Sequence, residues 1–458
     1  MDIEALDRFS RDVLPEFASD LGGLVQIPSI SGDPVHSEDV RKCAEALLGF
    51  LNRTGADHRL IETEGHPAVF GSLTVDEKKP TILVYNHYDV QPPGEGKWEL
   101  EPFSGKLKDG AVHGRGATDD KGPLLATIET VDYLNGIEEL NVNLRFIFEG
   151  EEESGSPNFS NALKQSGIGA NDIDGILLCD TVWMNGRPTI TYSLRGLVYA
   201  EMTYRSAKAP VHSGLVGGAV KNPLTVLSNA IAACDKAYRN NPSGDFLDED
   251  VAEPTEEELQ ALDNLNFDAE RFLRDTGITR PTTLNSLTML KRLWMQPTIE
   301  AHGFIGGYTG PASSTVIPDS ATAKISMRLV PNQDPNKAAK TLSDNIKKVD
   351  EDIEIKFTKS IPPFKTRTDH PYMKAAHSAA EQGFGIIPAY VGCGGSIGAV
   401  PAFLEYFGQR PIVMLAMSTE RDSYHGPNEK FELQQAAGGI RTVGRFLDNV
   451  GKMGRTVA

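Results

Sequence analysis

Cysteine is scarce in this sequence: four residues in 458, at Cys43, Cys179, Cys234 and Cys393, far apart and with no CxxC pair. That spacing argues against a disulfide framework and a zinc knuckle, and it suits a reducing compartment. Runs of lysine and arginine are also missing, and the formal net charge is −18. Nucleic-acid affinity depends on a basic footprint that releases counterions, so no nucleic-acid partner is expected, and the acidic balance is read as solubility. No segment reaches the roughly 18 apolar residues that span a bilayer. The amino terminus, MDIEALDRFSRDVLPEF, has neither a basic leader nor an apolar stretch. The expectation is a cytoplasmic protein without membrane contact. Internal repeats and low-complexity tracts are absent too.

What is present is enough chain for two or three domains, since single cores rarely grow past about 250–300 residues. Ile3, Leu6, Phe9, Val13 and Phe17 recur at helical spacing. A second helix is expected from Ser37 as N-cap, with Glu38 and Asp39 in its first turn, to Gly55. Apolar runs at Thr81–Tyr85, Leu144–Phe148 and Gly175–Cys179 read as strands, and Pro123–Leu134 as a helix between the first two. Strands alternating with helices indicate an α/β core with a sheet buried on both faces.

The middle of the chain has another texture. TITYSLRGLVYAEMTYR and TAKISMRLVP alternate like strands, NPLTVLSNAIAACDKAY reads as a helix, and Asp334-Pro335 opens another through Ala338, Leu342 and Ile346. These units suggest a small α+β domain, with the acidic stretch Asp245–Glu258 as surface decoration and Thr255/Glu258 spaced for a capping box. The α/β texture then returns and ends in a helix carrying Leu433, Ala436, Ile440, Val443 and Phe446. The reading is a discontinuous first domain, residues 1–194 and 365–458, interrupted by an inserted one, residues 195–364.

Acidic and imidazole groups collect where strands stop: His87/Asp89 in NHYDV, Asp119/Asp120 in GRGATDDKG, Glu151–Glu153 in FEGEEESGS, Asp180 in ILLCD, and His425 late in DSYHGPNEKF. Strand side chains two apart share a face, so His87 and Asp89 are aimed together. Singly, each group has an ordinary explanation: a structural hydrogen bond, a helix cap or a solvated charge run. Gathered at one sheet edge, the carboxylates would repel one another unless a cation neutralised them. Two imidazoles with three or four carboxylates suit zinc or manganese, and a shared carboxylate could hold two ions.

With NHYDVQPP, GRGATDDKGP, EGEEESGS, HSGLVGG, RLVPNQDP and GGSI before a late histidine, in order over most of the chain, the sequence resembles the M20 family of metallopeptidases, in its branch of cytosolic carnosinase-like dipeptidases. The resemblance implies a zinc-peptidase-like α/β catalytic domain with an inserted α+β lid that mediates homodimerisation. It implies one metal on His87, Asp119 and Asp180, and another on Asp119, Glu153 and His425. Glu152 becomes the general base and Asp89 the other catalytic residue. His212 is similar to a lid histidine that reaches the partner subunit's site, while Thr315, Arg328 and Ser396 match substrate-binding positions. The branch commonly has a glutamate three residues before that serine, to receive a substrate ammonium; here Cys393 stands there.

The activity implied is hydrolysis of dipeptides or similarly small carboxylate-bearing amides by metal-activated water, with zinc first and manganese second. Two alternatives remain: an amidohydrolase of N-acyl amino acids, which Cys393 keeps open, and a non-catalytic metal-dependent binding protein.

Overall fold

The computed structural model describes residues 1–240, 251 and 253–455. Half of the acidic stretch, Asp245–Asp250 and Ala252, lies outside the described residues. The chain divides into two units: residues 1–192, 366–391 and 397–458 form the first, and residues 193–365 with 392–396 the second.

Long apolar runs build the centre of the first unit. Thr81–His87 is buried at every position, which a strand covered on both faces requires. It pairs in parallel with Asn143–Glu149 on one side and with Gly175–Leu178 on the other, and Ile412–Leu415 adds in parallel beyond the latter. Four parallel neighbours therefore end at the same edge. Antiparallel strands flank them: Ala68–Leu73 and Asp57–Ile61 on one side, Thr189–Leu194 on the other.

The helix Gly122–Gly136 is buried almost all round, including Ala126, Thr127 and Thr130, and not only along the stripe of Leu124, Leu125, Ile128 and Val131. Residues 3–25 form two helices, Ile3–Asp12 and Leu14–Val25, because Pro15 starts a new one while the apolar spacing runs through. Ser37 is the first residue of its helix, not the cap; its hydroxyl donates to the Pro34 carbonyl.

One charge inside this unit sets a test. Glu129 is buried on the helix Gly122–Gly136 and accepts from Arg53 Nη2 at 2.8 and 3.0 Å, while Arg53 Nη1 reaches Asp20 at 2.9 Å. Burial lifts the Glu129 carboxyl to about 7, and the Arg53 charge offsets this only in part. A folded pKa above the unfolded value means that folding favours the protonated form. Stability is therefore lost as pH rises from about 4.5 to about 7. Arg53→Met removes the offset. It is expected to cost about 3 kcal/mol at pH 8, as for a broken buried pair, and clearly less at pH 5. Urea unfolding at the two pH values measures this; an equal cost at both would assign the effect to Asp20 and the other partners.

In the second unit, Gly196–Arg205 alternates buried and half-buried residues as its sequence suggests, and pairs antiparallel with Ser320–Leu329. Thr298–Ile305 and Glu354–Ile361 complete a four-stranded sheet as its edges. Helices Pro223–Asn240 and Pro335–Val349 belong to this unit, the latter capped by Asp334 and burying Ala338, Leu342 and Ile346. Thr255 and Glu258 form the capping box, and Glu253, Glu256 and Glu257 are exposed as expected, but Glu258 is buried and pairs with Lys365, so that one residue is not surface decoration. Among the described residues, no helix is long and apolar enough to cross a membrane.

Candidate metal centre

The shared edge of the four parallel strands carries the chemistry. His87 closes its strand, Glu149 pairs with it in register and leads into Glu151–Glu153, and Asp180 follows Gly175–Leu178. Asp119 and Asp120 sit on a loop with non-helical backbone just before the helix Gly122–Gly136, joined by a cis peptide. His425 comes from the long loop after Ile412–Leu415 and holds a left-handed backbone, φ 56°.

These groups meet. His87 Nε2 lies 2.9 Å from Asp119 Oδ1 and 3.7 Å from Asp180 Oδ2. His425 Nε2 lies 2.7 Å from Asp119 Oδ2 and 3.2 Å from Glu153 Oε1. Two donor sets result, His87/Asp119/Asp180 and Asp119/Glu153/His425, each with its ligand atoms within 4.8 Å of one another. Asp119 belongs to both.

The residues fit divalent cations on two counts. Despite the short distances, the buried oxygens Asp119 Oδ2 and Glu153 Oε1 receive no hydrogen bond of acceptable geometry. Buried carboxylate oxygens are rarely left so, and a bound cation would satisfy both of them. The charge balance agrees. Burial pushes the Asp180 carboxyl up to about 6 and Glu152 up to about 8. Close to Asp119 and Glu153, His425 is held up to about 10. A cation would relieve this excess of carboxylate and release the imidazoles to ligate.

Around the sets, each neighbour has a distinct task. Asp89 does more than orient one ring: His87 Nδ1 lies 3.4 Å from its Oδ1 and 3.0 Å from its carbonyl, while the carboxylate accepts from the amides of Glu152 and Glu153 at 3.2 and 3.0 Å and from Ser31 at 2.6 Å. Glu152 is outside both donor sets and accepts from the Gly398 amide at 3.3 Å. Glu151 is buried against Asn158, whose amide donates to both its oxygens at 3.1 and 2.9 Å. Asp120 accepts from Asn86 at 2.7 Å.

The remaining candidates lie in the second unit. His212 and Thr315 come together there, His212 pairing in register with Val316 and its Nε2 3.4 Å from the Thr315 hydroxyl. Arg328 is half-buried on Ser320–Leu329, paired opposite Leu197 and Thr298. Ser396 ends the segment 392–396, which Arg195 holds by donating Nε to the Gly394 carbonyl at 3.1 Å.

Sequence reasoning missed Tyr424, which donates its hydroxyl to Asp180 Oδ1, and Glu429, which accepts from the Asp119 amide at 3.2 Å. Both stand within DSYHGPNEKF, but neither spacing nor residue type marks them as partners of distant loops.

An α/β sheet that gathers two such donor sets at one edge could hold a pair of divalent ions, which as a class can activate water for hydrolysis. The model of peptidase family M20/M25/M40 matches residues 83–449. The chain is 30% identical over 452 residues to the Cys-Gly metallodipeptidase dug1 of Schizosaccharomyces pombe, covering 93% of this chain and 94% of that protein. It is 28% identical over 391 residues to the Beta-Ala-His dipeptidase of Homo sapiens, covering 83% and 77%. Among solved structures it is similar to the M20 family metallo-carboxypeptidase Sso-CP2 of Sulfolobus solfataricus, with TM-score 0.82 and 29% identity over 95% of this chain and 99% of that one. The chain belongs to peptidase family M20/M25/M40, in its carnosinase-like dipeptidase branch.

Proposed function

We propose that this protein is a dinuclear metallodipeptidase that hydrolyses the amide bond of dipeptides or similarly small carboxylate-bearing peptides. His87, Asp119 and Asp180 hold one divalent ion; Asp119, Glu153 and His425 hold the other. Zinc is the first assignment, and manganese stands close behind it because oxygen donors outnumber nitrogen. The observation that carries the reading is the sharing of Asp119 between two donor sets beside the carboxylate of Glu152, which belongs to neither. The dipeptide substrate class is supported by relatives named as Cys-Gly and Beta-Ala-His dipeptidases.

Bound ions of this kind polarise a carbonyl oxygen and acidify water. Glu152 then serves as general base, taking a proton from the attacking water and returning it to the leaving amine, with its Oε1 held in place by the Gly398 amide. Asp89 fixes the turn that presents both Glu152 and Glu153. On the family resemblance, His212, Thr315, Arg328 and Ser396 bind substrate. The guanidinium of Arg328 offers two parallel donors to a substrate carboxylate. The same resemblance supports a cytoplasmic homodimer assembled through the inserted unit, with His212 serving the partner subunit.

Chelation is expected to abolish dipeptide hydrolysis, and zinc or manganese to restore it, with two ions counted per chain by metal analysis. A metal-replete protein inert toward a broad dipeptide panel would favour a binding protein instead. Cys393, where the branch commonly has a glutamate, supports a second reading as an N-acyl-amino-acid amidohydrolase. Comparing each dipeptide with its N-acetylated form decides: a strong preference for the blocked substrate overturns the dipeptidase assignment.

A further inference from the structure

Arg115 and Glu429 form an ion pair with both side chains almost wholly buried, Nη1 to Oε2 at 2.5 Å, and each partner continues into a different ligand-bearing loop. Glu429 Oε1 accepts from three consecutive-loop amides, Gly116 at 3.0 Å, Thr118 at 3.0 Å and Asp119 at 3.2 Å. Gly116 has φ 86°, a left-handed conformation that helps the amides converge on one oxygen. Arg115 Nη2 donates to the carbonyls of His425 at 3.0 Å and Pro92 at 3.4 Å. Its guanidinium also lies over the Trp98 ring, 5.5 Å from the centroid.

Stability alone does not account for this arrangement. A buried ion pair loses solvation that its mutual attraction barely repays, and well-packed apolar residues often replace one without loss. Here the carboxylate instead gathers the backbone that carries the shared ligand, while the guanidinium holds the backbone of the late histidine. The planar fork lets one side chain serve both Glu429 and His425, which a single ammonium could not do with the same spacing.

We propose that Arg115 and Glu429 are positioning residues that fix the separation of Asp119 from His425, and so set the affinity of the centre for its second divalent ion. This rests on the metal-centre assignment above. The pair belongs to neither donor set; it acts through main-chain groups of the two loops.

The test competes zinc from the loaded protein with a chromophoric chelator, for wild type, Glu429→Gln and Arg115→Lys. A glutamine cannot accept from the amides and from Arg115 together, and lysine cannot fork. Each variant is expected to lose about 10–100-fold in affinity for the weaker ion, the usual effect of removing an outer partner of a ligand. Arg53→Met serves as control: it lowers stability at a remote ion pair and is expected to leave zinc affinity unchanged. If Glu429→Gln does not fold by circular dichroism, Arg115→Lys decides alone. Wild-type affinity for both ions in a folded variant overturns the proposal, as does an equal loss in Arg53→Met. A wild-type chain that binds no zinc refutes the metal-centre assignment itself, a distinguishable result.

Discussion

Glu152→Gln is expected to keep both metal ions and lose kcat by about 10²–10⁴-fold, the range that general acid–base catalysis supplies. The substitution preserves shape, and the glutamine oxygen can still accept from the Gly398 amide. What disappears is the ability to take and return a proton. Glu152 is in neither donor set, so the metal count should not change. The neighbouring glutamates give the control that the EEE run needs. Glu151 is saturated by Asn158 and packs where a Cβ on Gly65 would fall 1.9 Å from its Oε1, so Glu151→Gln is expected to touch stability more than turnover. Glu153→Gln should instead lower metal content. Steady-state kinetics with metal analysis on the three variants separates these roles. Near-normal turnover in Glu152→Gln would remove that residue from the mechanism, and a collapse in Glu151→Gln would shift the frame by one.

The three consecutive glutamates differ in their surroundings for a local reason. Asp89 grips the amides of Glu152 and Glu153 with its two oxygens, which fixes the turn and sends consecutive side chains in different directions. The same carboxylate lies beside His87 Nδ1, so one residue ties the histidine that closes the strand Thr81–His87 to the turn that follows Asn143–Glu149. Asp89→Asn is a milder test than loss of the base, because an amide oxygen can still accept from one of the two N–H groups.

The strand ends were legible because buried parallel strands read as unbroken apolar runs, and Thr81–His87 or Gly175–Leu178 stop where the first chemistry-bearing side chain appears. Edge strands were not. Thr298–Ile305 and Glu354–Ile361 are mostly exposed, carry charge and pair on one side only, and the apolar alternation each begins with breaks after four residues at a register shift. Arg115, Tyr424 and Glu429 escaped for another reason. They act on main-chain groups or on one oxygen of a distant carboxylate, and a sequence shows residue types but not which loops fold together. Ser37 shows the ordinary limit at helix starts, where a hydroxyl one residue inside the helix turns back to the Pro34 carbonyl rather than capping.

Asp119 is the side chain on which the two donor sets depend together. Its Oδ1 faces His87 and its Oδ2 faces His425, so each oxygen is committed to a different set. Asp119→Asn leaves one oxygen and places an amide nitrogen, a donor with no lone pair for a metal, where the other stood. Neither set can then be completed without losing the other. Metal content is expected to fall from two ions to one or fewer per chain, and activity to fall by more than the roughly 10–100-fold that loss of an outer partner costs. Asp120→Asn makes the comparison strict, since Asp120 is as buried and adjacent, yet its Oδ2 accepts from Asn86 and an amide oxygen can keep that bond. Its metal count should stay at two. Were the Asp119 variant to retain both ions at wild-type affinity, the two clusters would not share a carboxylate, and the paired centre would have to be replaced by separate sites.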